Sequence, residues 1–489
     1  MMNTVAMPEQ STDSRAELDR IERVAIDAST RGPVLFFYAS AILWLLVGTI
    51  LGLVTALKFN APGFLDAWSF TTFGRVRPAH LTSVIYGWAS MAGIGTIIWL
   101  MARLCHTRLK NGSLLIIAGC IWNLGLTLGI LGIFAGHGTS IEWLELPGYS
   151  TPLLFIAYSF IGLWTLLMFI NRRPGHVYVT QWYLLAAVLW FPWVYGTAQI
   201  LLVAHPVQGV VQAAVNWWFA HNIIGLWFTT IGVGTVYYMI PKVLGKPIHS
   251  YYLSIIGFWT LAFFYSWNGI HHLIYGPLPA WLQTASIVAS VMMIIPVTTV
   301  AINHHLTMKG SFGALRYSPT LRFIVFGAMC YTLVSLQGIS MAFRTINKAS
   351  HFTHLTVAHA HLGLYAFFTM VMFGAMYYIV PRLVNWEWPC AKLIKIHFWT
   401  TAIGILLMFG ALTIAGIQQG IHMNLRTTDF NVIMNSTKPW LWMRSLSGAL
   451  MMVGHFVFAA SFVMILMRLG KNKTTPTLFE EPTRGGNVL

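Results

Sequence analysis

The chain has 489 residues, 57% of them hydrophobic and only 9% charged, with 21 tryptophans and 31 phenylalanines. A helix that crosses a bilayer needs about 20 mostly apolar residues. Runs of that kind fill most of the sequence, so a soluble domain of useful size is excluded and the expected fold class is all-α, a polytopic membrane protein. The formal charge of +16 does not point to nucleic acid, because the basic residues sit singly or in small groups between apolar runs, where membrane topology and anionic lipid account for them.

Residues 1–32 are polar and carry both signs of charge (Arg15, Glu17, Asp19, Arg20, Glu22, Arg23). A secretory signal would place a basic stretch directly before a short apolar run, so this segment reads as a cytoplasmic tail. Twelve apolar spans follow, at about 34–57, 77–103, 112–135, 151–171, 179–204, 212–240, 250–274, 280–305, 320–345, 351–381, 392–418 and 440–468. They make one membrane domain of residues 33–470, closed by a second tail at 471–489. Lys and Arg follow every even-numbered span: Arg103, Arg108 and Lys110; Arg172 and Arg173; Lys242 and Lys246; Lys309 and Arg316; Arg382, Lys392 and Lys395; and Arg468, Lys471 and Lys473. Basic loops favour the cytoplasmic side, which sets both termini there, in a bacterial cytoplasmic membrane.

Four cations break that rule on the outer side: Arg75, Arg77, Arg344 and Lys348. They lie next in sequence to histidines, in FGRVRPAH ending at His80 and in FRTINKASH ending at His351. Neutralising the anions of a bound cofactor explains them, and haem propionates fit. The four cysteines, Cys105, Cys120, Cys330 and Cys390, are widely separated, with no Cys-x-x-Cys-His. The chain is therefore expected to carry no covalently attached c-type haem.

Histidines are costly inside lipid and mark function when several share a depth. Span two supplies His80, span six His221 within WWFAHNIIG, span seven His271 and His272 within YSWNGIHHLIY, and span ten His359 and His361 within SHFTHLTVAHAHLG. The topology puts all six in the outer half. Residues two apart on a helix diverge by roughly 200°, so His359 and His361 serve different cofactors. Three neutral imidazoles, His221, His271 and His272, suit a copper ion with an open position. On a continuous seventh helix, Tyr265 and His272 would lie on one face. In the inner half, Thr229, Tyr237, Ser254 and Tyr331 are candidates for a proton wire to a buried site.

Together these motifs resemble a haem-copper oxidase catalytic subunit, and most closely the C-family, or cbb3-type, cytochrome c oxidase subunit I. RVRPAH, WWFAHNIIG, VYYMIPK, YSWNGIHHLIY, SHFTHLTVAHAHLG, YYIVPR and GIQQG carry the resemblance across nearly all of residues 34–470. It implies that His80 and His361 are axial ligands of a low-spin haem b and that His359 is the proximal ligand of a high-spin haem. His221, His271 and His272 would hold copper, with Tyr265 covalently joined to His221 and redox-active. It also implies that Thr229, Tyr237, Ser254 and Tyr331 form the proton-uptake path, and that Glu142 helps to bind calcium. Arg75, Arg77, Arg344, Lys348 and His351 would meet the propionates. The implied reaction is reduction of oxygen to water, coupled to proton uptake across the membrane. Electrons would come from cytochrome c through partner subunits bearing c-type haem, and nucleic acid has no part in it.

Two positions depart from that family. Gln337 stands where a glutamate near the proximal histidine is usual, and His354 where aspartate is common. Because a neutral amide cannot become an anion, the potential of the haem on His359 is expected to rise. The alternative enzyme is a nitric oxide reductase, which uses non-haem iron and carries a glutamate four residues after its first ligand. Gly225 occupies that position here, and Tyr265 has no counterpart there, so both residues favour copper. The non-redox alternative is a secondary transporter, whose Gly/Pro-broken spans in related halves are not found.

Overall fold

The computed structural model describes residues 12–470, 472 and 475–480; the terminal residues 1–11 and 481–489 of the expected tails lie outside them. Among the described residues there is no strand, and twelve helical spans are long and apolar enough to cross a membrane. They are α1 (Thr12–Asn60), α2 (Phe73–Cys105), α3 (Gly112–Ala135), α4 (Thr151–Ile170), α5 (Val179–Ala204) and α6 (Val210–Leu244). The series continues with α7 (Tyr251–Tyr265), α8 (Ala280–Met308), α9 (Pro319–Ala342), α10 (His354–Val384), α11 (Ala391–Leu425) and α12 (Phe430–Leu466). Each expected span is present. The first helix, however, starts at Thr12, so residues 12–32 extend the first span instead of forming a separate tail. The last two helices also reach further, to Leu425 and from Phe430.

Three helices form the centre. The most apolar stretches of α2, α6 and α10 are 94%, 89% and 83% buried, against at most 50% in the other nine. A helix apolar on all sides must be enclosed on all sides, and these are the helices that carry His80, His221, His359 and His361. All three also widen into a π-helical stretch just beyond a histidine. Ser83–Ala89 follows His80, Ile223–Phe228 follows His221 and Leu362–Thr369 follows His361. An extra residue per turn re-aims side chains without ending the helix, which is why π segments collect at functional sites.

The seventh span differs from the expected continuous helix. α7 stops at Tyr265, and His271 and His272 sit on a separate short 3-10 turn, Ile270–Leu273. Gly269 makes the break, with φ at +114°, a conformation that glycine alone adopts without strain. A Cβ there would also lie 2.4 Å from the Trp217 carbonyl oxygen. The seven-residue spacing of Tyr265 and His272 therefore does not put them on one helix face; the turn swings the two histidines back toward α6.

Candidate metal centre

Across the break, His221 of α6 and the two turn histidines close a triangle. Ring centroids are 4.7 Å apart for His221–His271, 4.6 Å for His271–His272 and 5.6 Å for His221–His272. One nitrogen from each ring lies within 4.8 Å of the others. Each ring is aimed differently. His271 is tied through Nδ1 to Ser290 Oγ at 2.7 Å, His272 stacks on Trp217 at 4.2 Å, and the buried His221 Nδ1 has no hydrogen-bond partner. Three neutral imidazoles without a carboxylate form a donor set for a borderline or soft transition ion, not for calcium or magnesium.

Tyr265 lies against this group, its ring centroid 4.8 Å from that of His221 at 35°. The ring also packs on Gly225, where a Cβ would sit 1.7 Å from it. Gly225 and Tyr265 are therefore one feature, since any side chain at 225 takes the space of the phenol ring.

The helix carrying His359 and His361 faces the triangle on one side and α2 on the other. His359 Nδ1 meets Gln337 Oε1 at 3.2 Å; with the amide oxygen accepting, Nε2 keeps its lone pair. His361 Nδ1 is bonded to the Val357 carbonyl at 2.8 Å, and His80 Nδ1 to the Gly48 carbonyl at 2.7 Å. All three rings thus offer Nε2 as a ligand, the arrangement by which a second hydrogen bond fixes a metal-binding imidazole. Gly52 makes room for His80, because a Cβ there would come within 2.7 Å of the ring. All six histidines and Tyr265 line a single cavity of about 350 Å³.

Arg77 and Arg444 are the guanidinium groups that line this cavity, together with His351 and Glu142. Arg77 pairs with Glu142 and, at 3.4 Å, with Glu145. Glu145 is buried, and its Oε2 has no partner; burial pushes its carboxyl up to about 7 against the pull of Arg77. The other expected propionate partners point elsewhere. Arg75 is spent on the Phe134 carbonyl at 2.9 Å, Arg344 is exposed and reaches Thr284, and Lys348 is exposed. Arg444, which sequence reasoning missed, sits inside α12 with its guanidinium 4.8 Å over the Phe59 ring. A lone arginine within the apolar run from Leu441 was the available signal. His354 packs edge-on against that same Phe59 ring.

Toward the opposite half, Thr229 and Tyr331 line the cavity beside Ser335. Tyr237 and Ser254 are joined below by Asn303, whose Nδ2 donates to the tyrosine oxygen at 3.4 Å and to the serine hydroxyl at 3.2 Å. Asn303 is a second residue that the sequence did not single out.

Twelve helices around a six-histidine cavity define the catalytic-subunit class of haem-copper oxidases. The chain belongs to the cytochrome c and quinol oxidase polypeptide I family, which matches residues 32–450, and is an oxidoreductase of the cytochrome c oxidase type. It is 31% identical to the cbb3-type cytochrome c oxidase subunit CcoN1 of Stutzerimonas stutzeri, over 86% of this chain and 92% of that one. A nitric oxide reductase polypeptide of the same organism is 22% identical over 86% and 91%. A haem-copper terminal oxidase dimer solved by cryo-electron microscopy shares the fold with a TM-score of 0.69 at 14% identity, covering 93% of this chain and 86% of that one.

Proposed function

We propose that this chain is the oxygen-reducing subunit of a cbb3-type oxidase, with a low-spin haem b on His80 and His361, a high-spin haem on His359 and copper on His221, His271 and His272. The observation that carries the reading is the three-imidazole triangle facing His359 across one cavity, with Tyr265 packed on His221. The residues fit these groups: the Nδ1 hydrogen bonds of His80, His361 and His359 leave Nε2 free, and the His221 Nδ1 is unused. When bound, the haems and copper supply the electron path and the oxygen-binding site.

The protein's own part is orientation and proton supply. Gly225 and Gln337 hold Tyr265 and His359 in place, and the Tyr265 hydroxyl is the proton donor at the cluster. Protons lost there are replaced from the opposite half through Ser254, Tyr237, Tyr331 and Thr229. Arg77, Arg444 and His351 receive the haem carboxylates, and Glu142 with Glu145 forms the acidic pair suited to a calcium ion beside them. Electrons come from cytochrome c by way of partner subunits that carry c-type haem.

The test is the metal content and turnover of the purified complex. The wild type is expected to hold copper and consume oxygen. His272→Ala is expected to lose the copper and fall at least about a hundredfold in oxygen turnover, with the low-spin haem spectrum intact. Iron in place of copper, or turnover with nitric oxide alone, overturns the reading.

A further inference from the structure

The half of the bundle opposite the metal centre holds a buried histidine that none of the roles above employs. His304 of α8 is 4% exposed, and neither Nδ1 nor Nε2 has a hydrogen-bond partner. A neutral imidazole has one donor and one acceptor, and leaving both unmet in an interior is costly. The neighbouring His305 shows the ordinary solution: its Nδ1 is tied to the Ala301 carbonyl of its own helix at 2.6 Å. His304 instead stands edge-on to Tyr237, ring centroids 4.6 Å apart at 66°. The residue before it is Asn303, the amide that joins Tyr237 to Ser254. One turn further on, Thr307 Oγ1 accepts from the His249 backbone N–H at 3.0 Å, fixing against α8 the basic loop end that carries Lys246. Packing alone explains none of this, because an apolar ring would fill the same place without two unmet nitrogens.

We propose that His304 is a proton-relay residue at the mouth of the Ser254–Tyr237 route, passing protons from the basic loop end toward the Tyr237 hydroxyl. This rests on the reading of that route as the proton supply. In each transfer one ring nitrogen takes up a proton and the other releases the proton it carried. The imidazole returns to neutral with its tautomer exchanged, no carbon bond changes and no electron moves. The unmet nitrogens are what such a two-sided group requires, since a nitrogen held by a carbonyl, as in His305, is not free to pass its proton on.

The experiment uses the purified oxidase complex and measures proton uptake during oxygen reduction beside steady-state turnover. His304→Leu is expected to slow both by about tenfold or more, with the reduced and carbon monoxide difference spectra unchanged. His304→Gly is expected to be as slow and to recover with millimolar imidazole, a rescue that a purely structural role would not produce. Proton uptake in His304→Leu within about twofold of wild type, or no imidazole rescue of His304→Gly, overturns the proposal. Tyr237→Phe run in parallel separates the two levels: if it is slow while His304→Leu is not, the relay fails and the route stands. If both are fast, the route itself fails.

Discussion

The two faces of α10 anchor their histidines by different means. On the face toward α2, His361 and His80 are both held by backbone carbonyls, those of Val357 and Gly48. On the face toward α6 and the short turn, the anchors are side chains: Gln337 for His359 and Ser290 for His271, with the Gly225 and Tyr265 pair packed on His221. A backbone carbonyl is the same whatever residue bears it, so the His361 side keeps its ligand orientation under substitution. The other side can be retuned one side chain at a time. The site proposed to pass electrons needs constancy, whereas the site proposed to break a bond needs adjustable acid–base and electronic surroundings.

Gly225→Ala tests the side-chain face most severely. The added Cβ would overlap the Tyr265 ring at 1.7 Å, so the phenol must leave its place against His221. Misplacing a reacting group by about 1 Å costs on the order of a hundredfold. Oxygen turnover is expected to fall by about that factor or more, while the optical spectrum of the haem proposed on His80 and His361 stays as in wild type. Turnover near wild type would mean that the tyrosine can act from elsewhere.

Gly225 also shows what the sequence could and could not reveal. Its identity and that of Tyr265 were readable as two separate marks against nitric oxide reductase, but their steric dependence on one another exists only once α6 and α7 are packed. The twelve spans were legible because apolar runs of membrane length admit few other readings, and the divergence of His359 from His361 followed from helix periodicity alone. The end of α7 was not legible. YSWNGIHHLIY contains no proline, and neither the φ of +114° at Gly269 nor the close approach of the Trp217 carbonyl from another helix exists before the helices pack. Arg75, Arg344 and Lys348 were grouped with Arg77 by sequence proximity to the histidines, but only Arg77 of the four lines the cavity. Arg444 takes part from a helix more than eighty residues away from any of the six histidines.

On the backbone-anchored face, substitution has a steric handle only. Gly52→Ala would drive a Cβ to 2.7 Å from the His80 ring without touching the Gly48 carbonyl that orients it. Loss of orientation of a ligand histidine costs about tenfold or more in affinity for the group it holds. The expected outcome is partial loss of the low-spin haem absorbance and about a tenfold slower electron delivery. Copper content should be unchanged, which metal analysis of the same preparation checks. Copper lost together with the haem would show that the two faces are not independent.

The smallest effect is expected at Gln337, where the two faces differ in chemistry and not in shape. The Gln337 amide oxygen accepts from His359 Nδ1 at 3.2 Å and carries no net charge. Gln337→Glu keeps the length and the acceptor and adds a negative charge next to the imidazole. A more anionic ring donates more strongly to iron and stabilises its oxidised form. The potential of the haem proposed on His359 should fall by tens of millivolts in a spectroelectrochemical titration, with that of the His80 and His361 haem unmoved and oxygen turnover changed only severalfold. A shift confined to one haem would confirm that side-chain anchoring makes this face adjustable. Equal potentials in the two proteins would place the charge out of electronic contact with the iron and leave the glutamine as a purely geometric support.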